Sequence, residues 1–412
     1  MPPLNDQTSA DGPSVKGSVQ MNGGVLKTAV AASGLFAFCF LIANLFSPSL
    51  TTTFWTEPRR SFDLDFYLSI SERGYLEPSW PAFYPLWPLV LNWYSNLLQL
   101  PTILPMAHLL SMLFFFAATL PLWNLVKDIS NSTTANWVII LASLNPNAIF
   151  HALAYPESFF SLLAILLIRQ VHLFLVSQHK RHLFGVAVLT GLIAVTRPIL
   201  PQLVAAGIGT IIFLNLKQRN KRQQATNQNW LKISILMLFA GMASYIPFGF
   251  ICYQRFGDFF QPFVAQSLWN RKFGLYWDLI LKPQTVGGSD NVLGWELLAF
   301  YGPPAAILYH LIQSQPKQEK KSDRAATSHE IIIFCLMVCA AHGAIAFLTY
   351  PIFMSLGRHV LATPFFFIGV AGLITVVLKK PAGRKLLLFL TVISAAYLIN
   401  FWTRFARSAW IG

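Results

Sequence analysis

The amino-acid sequence predicts an all-α polytopic membrane protein with about eleven membrane-spanning helices. Of its 412 residues, 55% are hydrophobic and only 11% are charged, whereas a soluble domain has about 25% charged residues. The apolar residues also occur in successive runs, many of them near the roughly 20 residues that a spanning helix needs. These observations exclude a soluble globular protein.

The elements follow from the apolar runs in chain order. Residues 1–27 are polar, which predicts a disordered cytoplasmic tail. The next run lacks a small-x-small cleavage site, so we expect a retained first helix of a single transmembrane domain over 28–412. The predicted spans are 28–48, 105–126, 136–154, 157–176, 183–198, 199–216, 230–252, 294–312, 329–349, 359–378 and 384–402. The "RPILP" break between the fifth and sixth runs predicts two short helices there.

The distribution of charge predicts the orientation. With the N-terminus inside, the inner segments hold 18 of the 30 lysines and arginines and the outer segments hold 11, as the positive-inside rule requires. This placement explains the net charge of +14 without a nucleic-acid partner. Ten of the sixteen acidic residues fall in outer segments, so we expect the functional chemistry at the outer face.

Two outer loops are long, over about 50–104 and 253–293. The second half of the first loop, "FYPLWPLVLNWYSNLLQL", is apolar but rich in Pro, Trp and Tyr. Because Trp and Tyr favour the membrane interface, we expect interfacial helices there, not a further span.

The stretch "SFDLDFYLSI" (61–70) in the first outer loop contains two carboxylates, Asp63 and Asp65. Acids in a first helical turn stabilise the helix dipole, so helix stabilisation is one explanation for them. The other is a general base or an acceptor-binding carboxylate. In a helix, Asp63 and Tyr67 share a face and Asp65 points away.

Several motifs occur together along residues 54–370. They are "GY" (74–75), "AFYPLWPLVL" (82–91), "NPNAIFHALAYPESFFSLL" (145–163), "GLIAVTRPIL" (191–200), "RFGDFFQPFVAQSLWNR" (255–271) and "SLGRHVLATPFFF" (355–367). In type and order they resemble the motifs of the PIG-V-type mannosyltransferases, which are membrane glycosyltransferases of the GT-C superfamily. Two positions depart from the family pattern, because Phe62 replaces a tryptophan and Pro156 replaces a serine.

The resemblance implies roles for individual residues. Asp63 matches the first-loop acid and is expected to be the catalytic base. Arg197 and Arg358 match family arginines, and arginine binds phosphate through a planar fork; the alternative is arginines snorkelling to the interface. The expected substrate-binding residues are Asp65, Tyr67, Glu157, Arg197, Asp258, Gln266 and Arg358. For Glu157 the alternative is an acid that stabilises the next helix, and for the 255–271 segment it is an amphipathic interfacial helix.

The resemblance also implies an activity. We expect inverting transfer of a sugar, mannose by preference, from a polyprenyl-phosphate donor to a glycan or glycolipid hydroxyl at the outer face. A bacterial plasma membrane is favoured, or the endoplasmic reticulum in a eukaryote. No cofactor is assigned and a divalent metal is left open. A lipid-linked sugar flippase, which would show inverted repeats, and a non-catalytic membrane assembly subunit are the alternatives.

Overall fold

A computed structural model describes residues 23–55, 63–99, 103–217, 221–269, 271–286, 290–313, 323–409 and 411. Within them the chain is helical, with a single isolated β-bridge between Thr285 and Phe353, so the predicted all-α fold is confirmed. The part of the predicted tail over residues 1–22 lies outside the described residues, as does Phe62, and the first helix begins at Gly23, five residues before the predicted start.

The first half of the chain forms nine α-helices in the described residues. They are α1 (Gly23–Phe46), α2 (Ser49–Trp55), α3 (Asp63–Arg73), α4 (Leu86–Leu98), α5 (Leu104–Ile129), α6 (Ser132–Leu144), α7 (Glu157–Ser177), α8 (Lys180–Ala194) and α9 (Leu200–Lys217). Two 3₁₀ helices, Trp80–Ala82 and Pro146–His151, lie between them. The predicted division at "RPILP" is confirmed, because α8 ends before it and α9 begins within it.

The second half of the described chain forms nine more. They are α10 (Lys221–Phe256), α11 (Gln261–Leu268), α12 (Asp278–Leu281), α13 (Asp290–Ile312), α14 (Asp323–Thr349), α15 (Leu356–Leu361), α16 (Pro364–Gly369), α17 (Ala371–Leu378) and α18 (Pro381–Ala406).

Six helices of the described residues are long and apolar enough to cross a membrane: α1, α5, α7, α10, α14 and α18. The predicted count of about eleven spans is therefore not confirmed. Helices α6 and α9 are apolar but shorter. The predicted span over 359–378 is broken into α15, α16 and α17. Pro364 stands at the start of α16, where its missing N–H and fixed φ suit a helix N-terminus and prevent continuation of the helix before it.

Two apolar cores hold the helices together. One includes Trp230, Phe334 and Ile168 and contains buried side chains from each of the five helices α5, α6, α7, α8 and α9 and from α10 and α14. The other includes Trp87, Phe150 and Trp402 and joins α1 and α18 to α3, to α4 and to the 3₁₀ helix Pro146–His151. Helices α3, α15 and the start of α7 bring polar side chains to one place between these cores.

The predicted orientation can be tested with cysteines, because the four native cysteines are all buried and should label slowly. We expect His179→Cys, in the exposed turn before α8, to react with an impermeant maleimide only from the cytoplasmic side. Glu77→Cys, also exposed, should react only from outside. Outside labelling at residue 179 would reverse the orientation and place the candidate site on the inner face.

Candidate functional site

Asp63 is the first residue of α3, and both Asp63 and Asp65 lie in the first turn of this helix. The segment is therefore helical, which is the conformation in which these acids would stabilise the helix dipole. Asp63 Oδ2 lies 2.5 Å from Arg358 Nη1, and the Asp63 side chain remains 36% exposed. Tyr67, one turn later, is buried. Asp65 makes no ion pair or side-chain hydrogen bond with any residue that the structure describes. The structure thus separates the two acids, as the helical spacing predicts.

Glu157 is completely buried at the first position of α7. Pro156 precedes it, and the helix N-terminus favours a negative charge at this place. Its Oε1 accepts a hydrogen bond from Arg358 Nε and lies 3.2 Å from Arg197 Nη1. Arg197 comes from the "RPILP" break between α8 and α9. Two acids and two arginines, distant in sequence, therefore form one ion-pair network.

The loop before α15 determines where Arg358 lies. Ser355 adopts a left-handed conformation, with φ of 63°, and the backbone N–H of Gly357 donates to Glu296 Oε2 at 2.9 Å. The Arg358 guanidinium then lies over the rings of Tyr155 and Phe150, at 4.4 and 5.0 Å from their centroids. Cation–π contacts of this kind stabilise a desolvated guanidinium.

Glu296 of α13 supports the position of Arg358 through this hydrogen bond from the Gly357 N–H. It is 1% exposed, so Glu296→Ala would leave the Gly357 N–H buried and unpaired, a loss of about 1–3 kcal/mol in unfolding free energy. Glu296→Gln keeps an acceptor and should lose less. Thermal unfolding of the detergent-solubilised protein measures both variants, and equal melting temperatures for wild type and Glu296→Ala would contradict this role.

Two phenols line the same network. Burial raises the pKa of Tyr67 and of Tyr155 well above the usual range for a phenol, with smaller opposing contributions from Arg358. Both phenols therefore stay protonated at neutral pH. They can donate hydrogen bonds there, but they cannot serve as bases.

A cavity of about 290 Å³ adjoins the network and is lined by Arg197, one of its members. Its polar lining also includes Arg271, Lys272, His342 and His359. Its apolar lining comes mainly from α11, α14 and the residues around α9, namely Ile199, Pro262, Phe263, Ile345, Ala346 and Ile352.

The cavity has an excess of positive charge. Asp63 and Glu157 offset Arg358 and Arg197, whereas no carboxylate of the described residues lies within 4 Å of Arg271 or Lys272. Burial lowers the pKa of Arg271, and the charges of Asp63 and Tyr350 partly offset that effect. The arrangement is suited to an anionic ligand with an apolar part.

The predicted 255–271 motif contributes in part. Gln266 of α11 lines the cavity, and Trp269 packs against Phe66 of α3 at 5.2 Å between ring centroids. Asp258 instead accepts a hydrogen bond from Phe260 N at 2.7 Å and forms the turn before α11, with no ion pair to the described residues of the network. No group of three or more possible metal ligands occurs within the described part of the chain.

Sequence reasoning missed Arg271, His342 and His359 as members of the site. His359 Nδ1 accepts a hydrogen bond from Arg197 Nη2, and the His359 ring lines the cavity. Their convergence depends on how the loops fold back over α14, which no local spacing reveals.

The chain was compared with solved structures, with curated protein sequences and with models of protein families. Two solved structures of the oligosaccharyltransferase of Archaeoglobus fulgidus superpose on the chain. The complex with zinc and sulfate gives a TM-score of 0.49 at 11% identity over 90% of this chain and 53% of its own. The apo form gives 0.47 at 9% identity over 92% and 55%. The chain thus spans about half the length of these structures, and at this level of similarity no residue role is transferred from them.

No curated protein sequence matches the chain significantly. The model of the mannosyltransferase (PIG-V) family, in contrast, matches residues 25–382, which is most of the chain and includes Asp63, Glu157, Arg197 and Arg358. The chain therefore belongs to the mannosyltransferase (PIG-V) family.

Proposed function

We propose that this protein is a GT-C-type membrane glycosyltransferase that moves a sugar, mannose by preference, from a polyprenyl phosphate to a hydroxyl of a glycan or glycolipid. The transfer takes place at the outer face of the membrane, for which a bacterial plasma membrane is favoured. One observation carries the proposal: an accessible carboxylate, Asp63, is held by a buried arginine beside a cavity that is both basic and apolar.

The proposed reaction is a single displacement with inversion. The acceptor oxygen attacks the anomeric carbon of the donor, and the bond from that carbon to the phosphate oxygen breaks. The electron pair leaves with the lipid phosphate, and the hydroxyl proton passes to Asp63. Arg358 holds Oδ2 of Asp63 at 2.5 Å, which orients the carboxylate while its partly exposed side chain remains open to an incoming hydroxyl. General-base assistance of this kind contributes about 10²–10⁴-fold.

The arginines support departure of the phosphate in this mechanism. Arg197 lines the cavity, and Arg358 is its neighbour through Glu157. Negative charge increases on the leaving phosphate in the transition state, so fixed positive charge in a site partly shielded from water lowers the barrier. Glu157 holds the two guanidinium groups together despite their like charge.

A lipid-linked donor agrees with the apolar lining. Phe263 and Phe273 both line the cavity, yet they are 59% and 87% exposed, so an apolar surface continues from the cavity to the outside of the helix bundle. A prenyl chain can lie along this surface while its phosphate reaches the basic residues.

This route can be tested by shortening Phe263. We expect Phe263→Ser to raise the KM for a long-chain polyprenyl-phosphate sugar about threefold to tenfold, because part of an aromatic contact worth about 1.5–3 kcal/mol when fully buried is lost. The KM for a donor with a two-isoprene chain should change little. An equal rise for both donors would show that Phe263 does not contact the chain.

The proposed activity is tested with purified full-length protein, radiolabelled polyprenyl-phosphate mannose and a membrane glycolipid extract. We expect a labelled glycolipid of inverted anomeric configuration. Movement of the labelled donor across vesicle membranes without transfer would instead favour a flippase. The absence of both transfer and movement would favour an assembly subunit.

A further inference from the structure

The cavity contains a guanidinium, that of Arg271, to which the ion-pair network offers no partner. Arg271 is half-buried and lines the cavity, and within the described residues its side chain has no hydrogen-bond or ion-pair partner. A charge that is partly removed from water without a partner is costly. An anionic ligand in the cavity would offset this cost.

The backbone around Arg271 holds it in place. Arg271 N donates to Gln266 O at 3.1 Å, and Lys272 N donates to Thr349 O at 3.2 Å. Two further bonds, from Gly274 N to Leu348 O at 2.9 Å and from Tyr276 N to Phe347 O at 3.0 Å, continue along the end of α14. Arg271 is therefore presented to the cavity by a segment that four backbone hydrogen bonds fix, which reduces the ordering cost of binding.

His359 provides a second fixed donor. An arginine can only donate, so the bond from Arg197 Nη2 makes His359 Nδ1 an acceptor and places the ring proton on Nε2. The ring stacks on His342 at 6.1 Å, and His342 Nδ1 is bonded to Val338 O at 3.0 Å. In the described part of the chain, His359 Nε2 has no hydrogen-bond partner, although the residue lines the cavity.

Arg358 is placed differently from these two groups. Its Nε and Nη1 are both engaged by the carboxylates of Glu157 and Asp63, and it does not line the cavity. The arginine best placed to orient the catalytic carboxylate is thus not the one best placed to receive a ligand directly.

We infer that Arg271 and the Nε2–H of His359 bind the phosphate of the lipid-linked donor directly, whereas Arg358 acts on the reaction through Asp63. This inference rests on the proposed function. The planar fork of arginine matches two phosphate oxygens, and a neutral histidine with its proton on Nε2 can donate a single hydrogen bond to a third oxygen or to the bridging one.

The first test measures binding of undecaprenyl phosphate, which carries no sugar, to the purified full chain in detergent. Hydrogen bonds to charged groups contribute enough that Arg271→Gln should raise the Kd about 10-fold to 100-fold. The matched control is Lys282→Gln, which removes a charge from the same loop at an exposed position outside the cavity lining and should bind like wild type.

The outcomes separate the inference from the proposed function. Wild-type binding with an unchanged Kd for Arg271→Gln would overturn the inference and leave the transfer reaction intact. Competition with inorganic phosphate distinguishes a site for a lipid headgroup from a site for free phosphate. If the site recognises the lipid as well as its phosphate, millimolar inorganic phosphate should displace little of the bound undecaprenyl phosphate. Full displacement would mean that the site binds inorganic phosphate equally well, which would contradict binding of a lipid-linked donor.

The second test separates the two nitrogens of His359. The amide nitrogen of glutamine can take the place of Nε2, whereas the amide oxygen of asparagine can take the place of Nδ1. We expect His359→Gln to keep undecaprenyl phosphate binding within about threefold of wild type and His359→Asn to weaken it about tenfold, the loss of one charge-assisted bond. The opposite order would mean that His359 only positions Arg197 and does not contact the phosphate.

Discussion

Asp63→Asn is expected to lower sugar transfer by about 10²–10⁴-fold, the usual contribution of a general base. Asparagine keeps the shape of the side chain but cannot take the proton of the acceptor hydroxyl. The amide can also still present an oxygen to Arg358 Nη1, which lies 2.5 Å from Oδ2 in the native protein. The loss should therefore appear in turnover per folded protein and not in the yield of folded protein.

Asp65→Asn is the matched control for this experiment. It lies on the same helix two residues later, but it has no partner among the described residues of the network. If the acids only stabilise the start of α3, each substitution should cost about 0.3–1 kcal/mol in unfolding free energy and leave turnover unchanged. A near-normal transfer rate for Asp63→Asn would refute the base assignment, and equal severe losses at both positions would indicate a shared role that the structure does not suggest.

Local sequence features predicted a large part of the fold. Runs of apolar residues located the long helices, and the "RPILP" break was correctly placed between α8 and α9. The span count was less successful, because hydropathy does not register where a helix ends. The apolar stretch over 359–378 contains Thr363 in an extended conformation and Pro364 at a helix start, and these local backbone features divide one apparent span into short helices.

The candidate site was predictable where a charged residue stands out from apolar surroundings. Asp63, Glu157, Arg197 and Arg358 were each conspicuous for this reason, and the structure brings all four into one network. Arg271 was not conspicuous, because a basic residue in a predicted outer loop is ordinary, and His359 was not conspicuous at the first position of a predicted span. Their importance arises only when the loop lies along α14 and when Arg197 fixes the imidazole tautomer, both of which are long-range contacts.

Replacement of Arg358 should have the second large effect, and the two variants should fail for different reasons. Arg358→Ala would leave Glu157, which is 0% exposed, with its strongest partner missing. Breaking a buried ion pair by removing one member typically costs about 3–5 kcal/mol, so we expect poor folding. Arg358→Lys keeps the charge but has a single ammonium in place of a fork. It cannot bond Glu157 and Asp63 with the same geometry, so we expect a folded protein with turnover about 10-fold to 100-fold lower.

The measurements are the melting temperature in detergent, turnover per folded protein and the Kd for undecaprenyl phosphate. If Arg358 acts through Asp63, Arg358→Lys should lower turnover while the Kd changes by less than about threefold. For Arg271→Gln we expect the opposite pattern, in which the Kd for undecaprenyl phosphate changes by a larger factor than turnover does. A matched rise in Kd for Arg358→Lys would instead place Arg358 in direct contact with the phosphate. Turnover at the wild-type level would show that neither the orientation of Asp63 nor the stabilisation of the leaving group depends on the planar fork of Arg358. Arg358 would then be interpreted as an arginine that snorkels to the membrane interface.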